Sequence, residues 1–274
     1  GDSDDAQDVP DVAALTDGGF VIVWNSEDQD NGNDGYGVYG QRYNANGTTN
    51  GGEFLVNTEV SDDQEYPRVA ALTNGGFVVV WESDGQDGDG EGVYGQRYAA
   101  NGTKAGSEFR INTTTTGDQE TPFVTSMSDG GFVVTWTSEQ GGTDDVYFRR
   151  YDANGTAITS ETRVNTTTAN DQFEQSVTEL GDGGFAVAWE SDGAEDGDAS
   201  TVFAQRFNAN NQAVGSEIQV NTLTYGDQDS PVIAPLANGG FIVAWEGPPS
   251  SVDTDDNVYA QRFQPVAIDA EDSV

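Results

Sequence analysis

The sequence states one phrase five times: Gly-Gly-Phe, a mostly apolar run, and a tryptophan four residues after the phenylalanine. It runs from Gly18-Gly19-Phe20 to Trp24, Gly75-Gly76-Phe77 to Trp81, Gly130-Gly131-Phe132 to Trp136, Gly183-Gly184-Phe185 to Trp189, and Gly239-Gly240-Phe241 to Trp245. All five tryptophans belong to it, at intervals of 53–57 residues. A fixed period of this length marks a repeat architecture. A residue kept in every copy is then expected first to hold its own copy together.

The second copy shows what one repeat is. Pro67–Leu72 is a short extended segment (a), and Thr73-Asn74-Gly75-Gly76 is a hairpin signal because Asn and Gly tolerate positive φ. Phe77–Trp81 is a strand apolar on both faces (b), so both faces should be buried. A Gly/Asp loop leads to Val93–Tyr98 (c). Asn101-Gly102 turns the chain into Glu108–Thr113 (d). No stretch keeps a helical period. Four short antiparallel strands per repeat of about 55 residues, repeated radially, describe an all-β five-bladed β-propeller. The blades fall at about 5–58, 59–113, 114–167, 168–222 and 223–270 of one repeat domain, 1–274. A linear stack of β units and a truncated larger propeller are the rival architectures. The fifth copy lacks the Asn-Gly turn and the usual d strand; residues 264–269 are the candidate replacement. Without them the last blade has an open edge, which invites pairing with another chain.

Charge and composition exclude much. There are 48 acids against 10 bases, a net charge of −38, with neither histidine nor cysteine. Such a field repels nucleic acid and anionic membranes and suits cations, cationic partners or high salt. Disulfides, thiol catalysis, Cys/His zinc sites and Ser-His-Asp triads are excluded. No apolar run reaches membrane-spanning length. The chain begins at Gly1 and its sole methionine is Met127, so a processed product or an excised fragment is expected.

The b–c loops concentrate carboxylates: Asp28, Asp30 and Asp34; Asp84, Asp87, Asp89 and Glu91; Asp196 and Asp198. Acids at alternate positions between glycines aim several oxygens at one point, and calcium takes 6–8 of them. Asp87-x-Asp89-x-Glu91 has the opening spacing of an EF-hand loop, although Tyr98 falls where the closing glutamate belongs. A solvated acidic surface adapted to salt is the competing reading. The d–a links repeat Asp63-Gln64, Asp118-Gln119, Asp171-Gln172 and Asp227-Gln228. These pairs either satisfy backbone groups in the turns or form a polar ligand-binding ring.

The c strands repeat Gln-Arg-aromatic, as in Gln41-Arg42-Tyr43 and Gln96-Arg97-Tyr98, and six of nine arginines fall in this motif or its Arg149-Arg150 variant. They read as ties between blades. Tyr36, Tyr66, Phe123, Phe173 and Tyr225 stand outside the framework and suit sugar rings. A glycosidase needs paired carboxylates that break the repeat, and on the inner strands Asp11 and Glu179 do so.

The unit spanning residues 75–113, Gly-Gly-Phe-Val-Val-Val-Trp … Gly-Val-Tyr-Gly-Gln-Arg-Tyr … Asn-Gly-Thr … Glu-Phe-x-Ile-Asn-Thr, resembles repeats of large secreted bacterial proteins of the calcium-binding adhesin and haemolysin-like class. The resemblance covers residues 5–263. It implies an extracellular, propeller-forming module in surface attachment or matrix. Together with the loops it gives the expectation of a non-enzymatic adhesion module that binds calcium (Ca2+) and a glycan or another surface component, without nucleic-acid binding or membrane insertion. Self-association into a fibre through the fifth blade, and glycoside hydrolysis by axial carboxylates, are the two other readings.

Overall fold

A computed structural model of the chain describes residues 6–29, 35–193, 200–224, 226–249 and 256–265. The fold is an all-β, five-bladed β-propeller class with one antiparallel sheet per repeat. Two compact units divide it, Gly1–Val164 and Asn165–Val274.

The first unit holds three four-stranded sheets. They are β1 (Gln7–Ala14), β2 (Phe20–Glu27), β3 (Tyr36–Tyr43) and β4 (Phe54–Leu55); β5 (Gln64–Ala71), β6 (Phe77–Asp84), β7 (Glu91–Tyr98) and β8 (Phe109–Arg110); and β9 (Gln119–Ser126), β10 (Phe132–Ser138), β11 (Asp145–Tyr151) and β12 (Thr162–Arg163). The second unit holds β13 (Gln172–Glu179), β14 (Phe185–Ser191), β15 (Thr201–Phe207) and β16 (Ala213–Gln219), then a three-stranded sheet of β17 (Asp229–Pro235), β18 (Phe241–Gly247) and β19 (Asn257–Phe263). The fourth-strand replacement expected at 264–269 falls mostly outside the described residues.

The repeated phrase is a hairpin device. Gly75 has φ of +86°, and a Cβ on Gly76 would stand 2.2 Å from the Tyr98 carbonyl oxygen. The first glycine makes the turn and the second lets β5–β6 close against the end of β7. The same approach, 2.1–2.3 Å, recurs at Gly19, Gly131, Gly184 and Gly240. Beside it Phe77 stacks on Tyr98 with ring centroids 4.6 Å apart, and each of the other sheets has the same stacked pair at 4.8 Å. Aromatic pairs of this kind add to the area they bury. The middle strands β6, β10 and β14 are buried on both faces, as their apolar runs require.

Neighbouring sheets in each unit are joined by polar ties as well as apolar packing. Arg42 donates to the Ala100 carbonyl (2.9 Å) and Arg97 to that of Ala153 (2.9 Å), each reaching the c–d turn of the next sheet. Glu108 accepts from the Thr58 amide (2.7 Å) and Glu161 from that of Thr113 (2.6 Å). Asn57, Asn112 and Asn221 continue the ladder just past the outer strands, accepting from the amides of Val38, Val93 and Val202.

The inner strands begin three residues earlier than their sequence suggests, and the outer ones shrink to two residues in three sheets. A proline normally ends a strand. Here a bulge carries the strand across it. Val9, Tyr66, Thr121, Glu174 and Ser230 all have φ between 45° and 51°, and the register shifts at that point in each sheet. These left-handed non-glycine residues stand at one position in all five repeats. A bulge there re-aims the two residues before it.

Candidate active site

The bulge splits the repeated Asp-Gln-acid segment into three directions. Gln64, Gln119, Gln172 and Gln228 turn inward and are buried. Gln64, Gln172 and Gln228 accept the indole N–H of Trp81, Trp189 and Trp245 at 3.2, 2.9 and 3.0 Å. Gln119 instead accepts from Asn112 Nδ2 at 2.6 Å. Asp63, Asp118 and Asp227 cap the amides of Tyr36, Glu91 and Ser200, one sheet back. The Asp171 backbone carbonyl accepts from the Asp192 amide. Asp63, Asp118 and Asp227 thus satisfy backbone amides, whereas the glutamine carbonyl oxygens accept from side chains. In four of the five repeats the residue after the glutamine is an acid (Asp8, Glu65, Glu120 and Asp229; the fourth repeat has Phe173), and it is left at the opening of an inner strand.

Glu82 follows Trp81 on β6, Glu91 opens β7, and Glu120 is the second residue of β9 in the next sheet. One carboxylate oxygen from each lies within 4.8 Å of the others. Glu82 is 5% exposed and accepts from the bulge amide of Thr121 at 2.8 Å. Burial, outweighing that bond, and then Glu91, Glu120 and Glu65 push its carboxyl up to about 8. Glu91 is half-buried; burial and its carboxylate neighbours raise it to about 7. Burial also raises Glu120, which holds a hydrogen bond with Glu91. Three carboxylates this close cannot all ionise at neutral pH. They share protons as one coupled set. The seam therefore offers a protonated carboxylic acid beside a carboxylate.

The same three positions at the seam between the sheets of β13–β16 and β17–β19 hold Glu190, Ser200 and Asp229. Between the first two sheets they hold Asn25, Tyr36 and Glu65. Only the seam between the second and third sheets carries three glutamates among these described seams. Aligning residue Trp+1, the opening of c and the opening of a finds this break in the sequence. The sequence reading looked for the break deeper in the inner strands and missed it.

Asp11 is not a free acid there. Its carboxylate accepts from the Val69 amide of the next sheet at 2.8 Å and from Val12. Ser176, at the equivalent place, accepts from Ile233 in the same way. Asp11 is a tie between sheets, and Glu179, in the other unit, is partnered.

The expected calcium loop is divided. Asp87 is turned inward, accepting from Asn112 (2.9 Å) with Arg110 at 3.8 Å, while Glu91 belongs to the glutamate seam. Asp89 accepts from Gly117 at 3.4 Å, and Asp84 is exposed. Asp28 holds its own loop by accepting from Gly35. The residues 87, 89 and 91 do not converge as an EF-hand opening does. Asp30, Asp34, Asp196 and Asp198 lie outside the described residues.

No family model matches the chain, and no curated protein matches it. Solved structures do. An α-L-arabinofuranosidase of family GH93 from Fusarium graminearum, in complex with arabinobiose, superposes with a TM-score of 0.60 at 12% identity, over 94% of this chain and 82% of that one. The Hadza microbial sialidase Hz136 gives 0.57 at 12% identity, over 93% and 56%. An endo-arabinase from Bacteroides thetaiotaomicron gives 0.51 at 12% identity, over 91% and 90%. At these identities the likeness establishes the fold. The three structures named are an arabinofuranosidase, a sialidase and an endo-arabinase, which corrects the expectation of a non-enzymatic adhesion module and agrees better with the hydrolase alternative.

Proposed function

We propose that the chain is a glycoside hydrolase whose reaction centre is the Glu82–Glu91–Glu120 seam. The supporting observation is three carboxylates within 4.8 Å, two of them raised to about 7 and 8. Glycoside hydrolysis needs an acid to protonate the leaving oxygen and a second carboxylate beside it. Glu91 and Glu120, both half-buried, fill these roles, with the proton on Glu91 and the charge on Glu120. Glu82 lies beneath and stays neutral, so it adds no charge to the pair. Glu91 and Glu120 are close enough to share a hydrogen bond, which leaves no gap for the water that an inverting mechanism places between its carboxyl groups. Glu120 then attacks the anomeric carbon as Glu91 protonates the departing oxygen; water, deprotonated by Glu91, releases the sugar.

The neighbours named for arabinan, arabinofuranoside and sialoside chemistry make arabino-oligosaccharides the first substrates to try. A secreted bacterial setting, as the repeat resemblance implies, fits a polysaccharide substrate. The test is hydrolysis of arabinan and arabino-oligosaccharides by the full chain and its Glu91→Gln and Glu120→Gln variants. Activity lost in both variants, with folding intact, supports the reading; activity unchanged in both, or none on any glycan, overturns it.

The convergence of three oxygens also favours a divalent cation as a second reading. Calcium at the seam would raise the melting temperature of the wild type and not of Glu120→Gln.

A further inference from the structure

Tyr66 stands apart from the framework. It is 40% exposed, and it occupies the left-handed bulge with φ of 50°. The other four repeats place Val9, Thr121, Glu174 and Ser230 there, so only this bulge presents an aromatic ring. Its phenol is within electrostatic reach of Glu82, Glu65, Glu91 and Asp8, acids of both neighbouring seams. At the seam between the first two sheets Asn25 takes the position of Glu82. Glu82 reaches the bulge amide of Thr121. Asn25 is one methylene shorter, and neither its Oδ1 nor its Nδ2 has a partner although the residue is fully buried.

The charges acting on Tyr66, Glu82 and Glu91 are carboxylates, and the net charge of the chain is −38. A uronate or a sialic acid would meet repulsion from the carboxylates that stay ionised and from the net charge of the chain. A neutral sugar ring lays its apolar C–H face on an aromatic and gives its hydroxyls to carboxylates and amides. We propose that the substrate is a neutral glycan, one sugar of which packs against the Tyr66 ring beside Glu65 and Glu91. This rests on the hydrolase reading for the word substrate, but the recognition it describes is measurable without turnover.

The experiment is calorimetric titration of the full chain and its Tyr66→Ala and Tyr66→Phe variants, using α-1,5-arabino-oligosaccharides, xylo-oligosaccharides and oligogalacturonates at low salt. Removing the ring should weaken binding of the neutral glycan about tenfold, the equivalent of about 1.4 kcal/mol. The phenylalanine variant should stay within about threefold, and oligogalacturonate should give no binding. Equal binding by Tyr66→Ala, no binding of either neutral series by the wild type, or oligogalacturonate bound as tightly as the neutral glycans overturns the inference. Binding through Tyr66 without any hydrolysis keeps it and removes the hydrolase reading. Hydrolysis whose KM ignores Tyr66→Ala does the reverse.

Discussion

The two ends of each sheet behave differently. At the hairpin end the five repeats are near copies: a glycine pair, a stacked Phe–aromatic pair, and an Asp or Asn capping the second glycine's amide, as Asp17, Asn74 and Asn238 do. At the seam end the backbone repeats down to the bulge, yet the side chains diverge into Asn25–Tyr36–Glu65, Glu82–Glu91–Glu120 and Glu190–Ser200–Asp229. The first end is constant because its contacts are backbone-limited. A Cβ at Gly76 has no room, so selection has one choice. The second end is free to vary because its bulge is held by the main chain, and any polar side chain can be presented from it. A repeat protein acquires one chemical site among five equal units at the end where variation costs the fold least.

The strongest test of that division is Gly76→Ala. The new methyl would lie 2.2 Å from the Tyr98 carbonyl oxygen, and backbone cannot yield as a side chain can. A loss on the order of 4 kcal/mol or more is expected, read as a lowered denaturant midpoint. A loss near zero would mean that the glycine pair is not a backbone constraint, and the contrast between the ends would go with it.

At the other end Glu91→Gln and Glu120→Gln should fold normally and lose about 10²–10⁴ of the hydrolytic rate, the usual worth of a positioned acid or base. Glu190→Gln, at the position of Glu82 in the other unit, and Asp229→Asn, at that of Glu120, should keep it. If either loses as much, the seams are not differentiated.

Stability against pH separates the two glutamate seams more finely. The Glu82 carboxyl rises from 4.5 to about 8 on folding, and that of Glu190 to about 7. The neutral form is the one the fold favours, so its contribution is full below about pH 4.5. It is lost as pH climbs through the folded values. Complete ionisation of Glu82 costs on the order of 3–5 kcal/mol, and of Glu190 roughly 3. Thermal unfolding followed from pH 5 to pH 9 should show the wild type falling, Glu82→Gln falling least, and Glu190→Gln between them. Parallel curves for all three would show that neither glutamate is held neutral.

Much of the hairpin end was legible in the sequence, because turn chemistry and alternation are local: Asn74-Gly75 and the apolar run of Phe77–Trp81 specify a hairpin without reference to any other repeat. The arginine ties were legible for the same reason, through sheer recurrence at Arg42 and Arg97. The seam was not. Glu82, Glu91 and Glu120 come from two repeats and three strands, and Pro67 and Pro122 disguised the inner strands' true starts by making a bulge look like a linker. That error moved Gln64 from the strand to the loop, and so offered it as a ligand-binding residue rather than a partner for Trp81. The Asp87–Asp89–Glu91 spacing was misleading for a related reason: one loop feeds two destinations, Arg110 with Asn112 on one side and the glutamates on the other.

The smallest expected effect tests the joint between the two ends. Gln64 carries the Trp81 indole, and Gln172 carries that of Trp189. In the third sheet the Trp136 Nε1 has no partner, because Gln119 Oε1 is taken by Asn112. Gln64→Ala should therefore leave a buried donor unpaired and cost about 1–3 kcal/mol. Gln119→Ala cannot cost an indole bond that is not made; its loss should be non-additive with Asn112→Ala, since both remove one shared contact, while Asn112→Ala costs more because Asn112 also accepts from Val93 and donates to Asp87. Double-mutant cycles on denaturant midpoints read this directly. Strong coupling of Gln119 to Trp136 rather than to Asn112 would show that the third sheet keeps the common arrangement. The Asn112–Gln119 contact behind the glutamate seam would then be no departure from the repeat at all.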